Sequence, residues 1–224
     1  MKVIFMDHSG FCVELDHTVL IFDYYKGEIP KFSQEKDIFV FVSHGHSDHY
    51  NKKIWKLKKQ YKNITYILSD DIKEERDAVF MGADEKKKIG NLTVETLKSN
   101  DLGVAFVVQS EEKIIYHAGD LNWWHWNGEP KEDNRYYKNT FLEEIRKLEG
   151  RKIDLAFMLL DPRQEDKYCL GMNTFLEMVH PKKVFPMHCF GDYKIIHQYL
   201  SSSDGAAWKD TVVEITGPGQ VIEV

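Results

Sequence analysis

The stretch FVSHGHSDHY, residues 41–50, places three histidines and an aspartate within six positions. His44 and His46 alternate by two, so both side chains can project from one side of an extended segment, and Asp48 and His49 follow as the chain turns. Imidazole and carboxylate donors in two offset pairs suit one or two divalent ions, zinc first, with manganese or iron as alternatives. HxHxDH arises by chance about 0.002 times in a chain of this length and composition, so an incidental polar loop explains it poorly. A serine nucleophile explains it less well still, because neither Ser43 nor Ser47 sits in a G-x-S-x-G elbow.

These residues need a scaffold. DIFVFVS (37–43), just before them, is apolar enough for a strand buried on both faces. NKKIWKLKKQY follows, with Ile54, Leu57 and Tyr61 at helical spacing under a basic outer face. The carboxyl end of such a strand is where α/β sheets collect ligands and catalytic groups. Upstream, KVIFM, FCVEL and VLIFDYY read as three strands, the last two joined at a tight turn. Downstream, ITYIL, LTVETL, GVAFVVQ and KIIYHAG read as strands, with Glu111 and Glu112 as the turn between the last two. TFLEEIRKLEG (140–150) reads as a helix capped by Thr140 and stopped by Gly150. Then come the strand IDLAFMLL, the helix NTFLEMVHP ended by Pro181, the strand KVFPM and the helix YKIIHQYLSS. TVVEITGPGQVIEV reads as a closing hairpin. This order predicts an α/β (α+β) protein of mixed β-sheets with helices on their outer faces. No linker, repeat or low-complexity segment interrupts it, so a single domain over residues 1–224 is expected.

Composition narrows the function classes. The net charge of −6 argues against a nucleic-acid-binding module. The lysines at 52–62 and 86–88 read as solvated faces. No 18-residue apolar stretch predicts a membrane span. Three distant cysteines, Cys12, Cys169 and Cys189, give neither zinc-finger spacing nor a disulfide framework, and a cytoplasmic location is expected. Homo-oligomers stay open.

SHGHSDHY resembles the signature of the metallo-β-lactamase-fold hydrolases. HAGD (117–120) and PMHCFGD (186–192) resemble later motifs of that family, in its order. The opening HSGFCVEL and LIFD resemble the branch that contains ascorbate-phosphate lactonase. The resemblance implies a four-layer αβ/βα sandwich of two mixed β-sheets. It also implies that His44 and His46 ligate one metal, that Asp48, His49 and His188 ligate a second, and that Asp120 bridges the two. The family's third histidine at the first site has no counterpart in LKSNDLGVAF, where Asp101 is the best substitute and Asn100 or Ser99 could hold a water.

Further candidates surround this set. His117 and His8 are candidates to support the ligands or line the cleft. His125 and Trp124, within LNWWHWNGEP, are candidates to touch substrate beside Trp123 and Trp126. Arg163, near Asp161, offers paired donors to a carboxylate or phosphate. A metal in such a cage lowers the pKa of bound water towards about 7. Asp48 or Asp120 would accept the proton. The expected activity is hydrolysis of an ester- or lactone-type bond in a small, anionic molecule. A phosphodiesterase or nuclease of the same fold, or a metal- or ligand-sensing protein without activity, are the alternatives.

Overall fold

Two mixed sheets face each other in the computed structural model, which describes residues 1–74 and 76–224. The first contains β1 (Lys2–Asp7), β2 (Gly10–Glu14), β3 (Thr18–Phe22), β4 (Asp37–Val42), β5 (Ile64–Ser69) and β6 (Val79–Met81). The second contains β7 (Lys86–Ile89), β8 (Leu92–Lys98), β9 (Val104–Ser110), β10 (Lys113–His117), β11 (Leu155–Leu159) and β12 (Lys183–Met187). β13 (Val221–Glu223) returns to the free edge of β1. In the first sheet β1 to β3 run antiparallel and β3 to β6 parallel. In the second, β7 to β10 run antiparallel and β10 to β12 parallel. The Glu111–Glu112 turn forms as expected, both residues having positive φ, as a tight two-residue hairpin requires.

Side-chain alternation explains why the sheets stack. Along β4, Phe39 and Phe41 join the core between the sheets, while Ile38, Val40 and Val42 join a second core outside. Between the sheets Phe11 meets Phe157 at 4.3 Å between ring centroids, and Phe41 meets Phe106 at 5.2 Å. α1 (Lys131–Arg146) and α2 (Leu170–Val179) cover the second sheet, with Phe175 stacked on Tyr116 at 5.2 Å. α3 (Lys194–Ser201) follows β12. On the outside of the first sheet Ile54, Trp55 and Leu57 are buried, which completes the four layers.

Three expectations change in detail. Residues Lys52–Lys59 wind as a 3-10 helix capped by Asn51; five lysines and no acid leave it without internal ion pairs to extend α-winding. α1 begins at Lys131, after Pro130, and Thr140 lies in its interior, donating to Tyr136 O (2.9 Å). Its first turns are polar, so the apolar period that marks a helix starts only at Phe141. The closing hairpin does not form. Val212 bridges to Val184 of β12, and β13 pairs with β1, so each arm serves a different sheet. Among the described residues no helix is long and apolar enough to cross a membrane.

Candidate metal centre

Four chain segments reach one end of the sandwich. β4 delivers Ser43 and His44, and a turn closed by His49 N→His46 O (3.1 Å) and Tyr50 N→His46 O (2.9 Å) folds Asp48 and His49 back. β10 runs out at His117 into Ala118–Gly119–Asp120, and His188 directly follows β12. The two-residue turn between β1 and β2 carries His8. Gly119 (φ +53) and Gly103 (φ +68) permit this closure: a Cβ on Gly103 would collide with Ser43 O, and one on Gly119 would lie 2.8 Å from Ser43 Cβ.

The side chains form two groups, His8–Asp48–His49–His188 and His44–His46–Asp120, each with ligand atoms within 4.8 Å of one another. Asp120 stands between them. Its Oδ2 is 3.4 Å from His44 Nε2, and its Oδ1 is 3.2 Å from His49 Nε2 and 3.4 Å from His188 Nε2. His44 Nε2 lies 3.0 Å from His46 Nδ1, and His8 Nε2 lies 3.4 Å from Asp48 Oδ2. Donors about 2.1 Å from a tetrahedral ion stand about 3.4 Å apart, so these separations fit a shared cation. His8 Nε2, His49 Nε2, His188 Nε2 and Asp120 Oδ1 are buried and lack hydrogen-bond partners. Buried polar atoms are normally satisfied, and four orphans facing one space fit an ion. The donor set therefore matches a divalent metal.

The opposite nitrogens are held. His49 Nδ1 donates to Asp23 Oδ2 (2.7 Å) and His188 Nδ1 to Asp161 Oδ2 (3.0 Å). Ser43 Oγ donates to Asp23 Oδ2 (2.6 Å), which leaves it to accept from His44 Nδ1 (3.0 Å). These bonds turn each Nε2 towards the centre. His8 (φ 53) and His188 (φ 65) adopt left-handed backbone, a strain of about 1–3 kcal/mol each, and His188 N donates to His8 O at 3.2 Å.

The electrostatics describe a site short of positive charge. Burial opposes ionisation of Asp120, yet His49, His188 and His44 hold its carboxyl well below the usual range. The imidazole of His8, and then that of His49, does the same for Asp48. Burial disfavours the charged form of His49, but Asp120 and Asp23 outweigh it and raise its pKa to about 10. Burial and then the neighbouring His49 push His44 down to about 4. A proton on His49 thus offsets the carboxylates.

The other expected residues take varied places. His117 is buried, donates through Nε2 to Ser9 O (3.0 Å), accepts from Gly119 N (3.1 Å) and stacks on Phe22, so it fixes the backbone behind Asp120. Asp101 is exposed and joins neither group; partial burial of its carboxyl and the charge of Asp120 raise its pKa. Asn100 is committed to Asn122 O, Tyr137 O and Thr140 Oγ1, and Ser99 Oγ accepts from Asp101 N. Trp124 is buried, with Nε1 donating to Asp120 O (3.0 Å) and its ring 5.9 Å from that of His188. His125 joins neither group and lines a separate hollow of about 590 Å³ with Trp123, Trp126, Arg135 and Lys138. Arg163 pairs with Asp161 through Nε (3.0 Å) and Nη2 (2.6 Å), its guanidinium 4.1 Å from the ring of Phe190. A hollow of about 200 Å³ beside His8 and Asp48 is lined by Tyr25, Lys26, Phe190 and Tyr193.

Sequence reasoning missed Asp23 and Ser43 as the supports of His49 and His44. Asp23 had a signal: an acid ending the apolar strand VLIF.

The beta-lactamase superfamily domain family matches residues 2–131, more than half of the chain, and the chain belongs to this family. It is 25% identical over 249 residues to a UPF0173 metal-dependent hydrolase of Opitutus terrae, covering 100% of both chains. Among solved structures it is similar to the metallo-beta-lactamase fold protein YhfI of Bacillus subtilis, with TM-score 0.66, 16% identity and 99% of each chain covered. It is also similar to Igni18, a metallo hydrolase of Ignicoccus hospitalis, with TM-score 0.65, 14% identity, and 99% of this chain and 97% of that chain covered. These structures share the metallo-β-lactamase fold with it.

Proposed function

We propose that the chain is a metal-dependent hydrolase that opens an ester- or lactone-type bond of a small anionic molecule. The observation that carries this reading is the convergence of unpartnered His8, His49, His188 and Asp120 atoms on one buried space, with His44 and His46 across Asp120. His44, His46 and Asp120 would hold one divalent ion, and Asp48, His49, His188 and Asp120 a second. Zinc suits this mixture of donors best, ahead of manganese or iron. A divalent ion bound there supplies Lewis acidity and makes water acidic near neutral pH.

The chain's own groups do the rest. Asp23, Ser43 and Asp161 hold the imidazoles in the tautomer that faces the centre. Asp48, whose side chain is 34% exposed, borders the small hollow and passes the proton of an attacking water to solvent. Phe190 and Tyr193 wall the hollow, whose volume suits a small molecule. Lys26 and Arg163, both partly exposed and each paired with one carboxylate (Asp7 and Asp161), are the candidate partners of an anionic group on the substrate. The net charge of −6 weighs against a nucleic acid, and the three free, buried thiols suit a reducing compartment such as the cytoplasm.

The test is a screen of lactones, p-nitrophenyl esters and bis-p-nitrophenyl phosphate with zinc, manganese or iron. Lactone or ester turnover that Asp120→Ala abolishes supports the proposal. Turnover of the phosphodiester alone replaces it with a phosphodiesterase. Absence of turnover with every ion favours a sensing protein.

A further inference from the structure

Resting on the metal-centre reading above, we infer that His8 is a protein ligand of the ion on the Asp48 side. That half of the centre then has five protein donors: His8, Asp48, His49, His188 and the shared Asp120. The other half has three: His44, His46 and Asp120.

His8 has the placement of a ligand rather than of a packing residue. It is 5% exposed, and its Nε2 has no hydrogen-bond partner. That atom is 3.4 Å from Asp48 Oδ2, yet the two do not form a hydrogen bond. The ring centroid lies 4.3 Å from that of His188 and 5.5 Å from that of His49. Tyr25 and Phe190 flank the ring at 6.3 and 4.7 Å, so an apolar side chain could fill the space without an orphaned nitrogen. The backbone bends into the left-handed region at His8 and is tied there to His188, the ligand opposite.

A consequence is ordered loading. The Asp48 side is filled by protein atoms, as in sites that hold metal permanently. The His44 side keeps open positions and reaches solvent through the exposed His46. The first ion therefore enters the Asp48 side, and the second is the exchangeable one.

The test uses the metal-free chain titrated with cobalt(II) and followed by visible absorption. The unsubstituted chain takes up cobalt in two steps. His46→Ala keeps the first step and loses the second. His8→Ala weakens the first step by at least about 100-fold. X-ray absorption on the unsubstituted chain with one equivalent of cobalt counts three imidazoles, a result that stands even where His8→Ala does not fold. A first step unchanged in His8→Ala, or a count of two imidazoles, overturns the assignment of His8 and leaves the hydrolase proposal intact. No cobalt uptake by the unsubstituted chain overturns both.

Discussion

The two halves of the candidate centre differ in what stands behind their imidazoles. On the Asp48 side, His49 rests on buried Asp23, and His188 on buried Asp161, which Arg163 holds in turn. On the other side His44 rests on a hydroxyl, and the only side-chain hydrogen-bonding neighbour of exposed His46 among the described residues is His44 itself. Carboxylates behind imidazoles fix the tautomer and raise basicity; a hydroxyl does the first and little of the second. The strength of each half is thus set by depth of support as well as by the number of donors.

The largest effect should come from the residue that both halves share. Asp120→Ala is expected to weaken both steps of metal uptake by more than about 100-fold, measured as metal content after dialysis. Equal metal content in variant and unsubstituted chain would break the whole picture. Asp23→Asn ranks second. The amide would turn an N–H towards His49 Nδ1, force the proton onto Nε2 and so block the lone pair. Ser43, and through it His44, would be disturbed as well. A loss of about 10–100-fold is expected in both steps. Asp161→Asn applies the same change to His188 alone, so about 10-fold or more is expected in the first step and none in the second. An equal loss in both steps would erase the distinction between the halves.

The smallest signal is a proton count. His49, raised to about 10, is protonated in the metal-free chain at pH 7.5, and ligation requires it neutral. His44, lowered to about 4, is already neutral there. Calorimetry in buffers of different ionisation enthalpy should therefore find about one proton released with the first ion and none from His44 with the second.

Legibility tracked sequence distance. The strands were readable because β-branched and aromatic runs fit a pleated, buried surface, and the candidate site was readable because four of its residues lie within six positions. Asp120 and His188 came from family resemblance, since a Gly-Asp pair and a lone histidine at strand ends carry little signal alone. His8 and Asp23 were harder. Their roles depend on β1, β3 and β4 lying side by side, which no local pattern states. The closing arms were misjudged for the same reason: TGPG signals a turn, but the partner of each arm is far away in the chain. The polar start of α1 hid that helix's first nine residues, because its buried side chains begin only at Phe141.

One consequence of the centre's position concerns the durability of the fold. His8 and the 44–49 turn belong to the first sheet, and Asp120 and His188 to the second. An ion held between them would be a removable crosslink joining position 8 to position 188, with a stabilisation that rises with free ion concentration, about 4 kcal/mol at a thousand times Kd. A chelator would then act on this chain as a mild denaturant. Where unfolded chains are continually degraded, the abundance of the protein would track the supply of its metal.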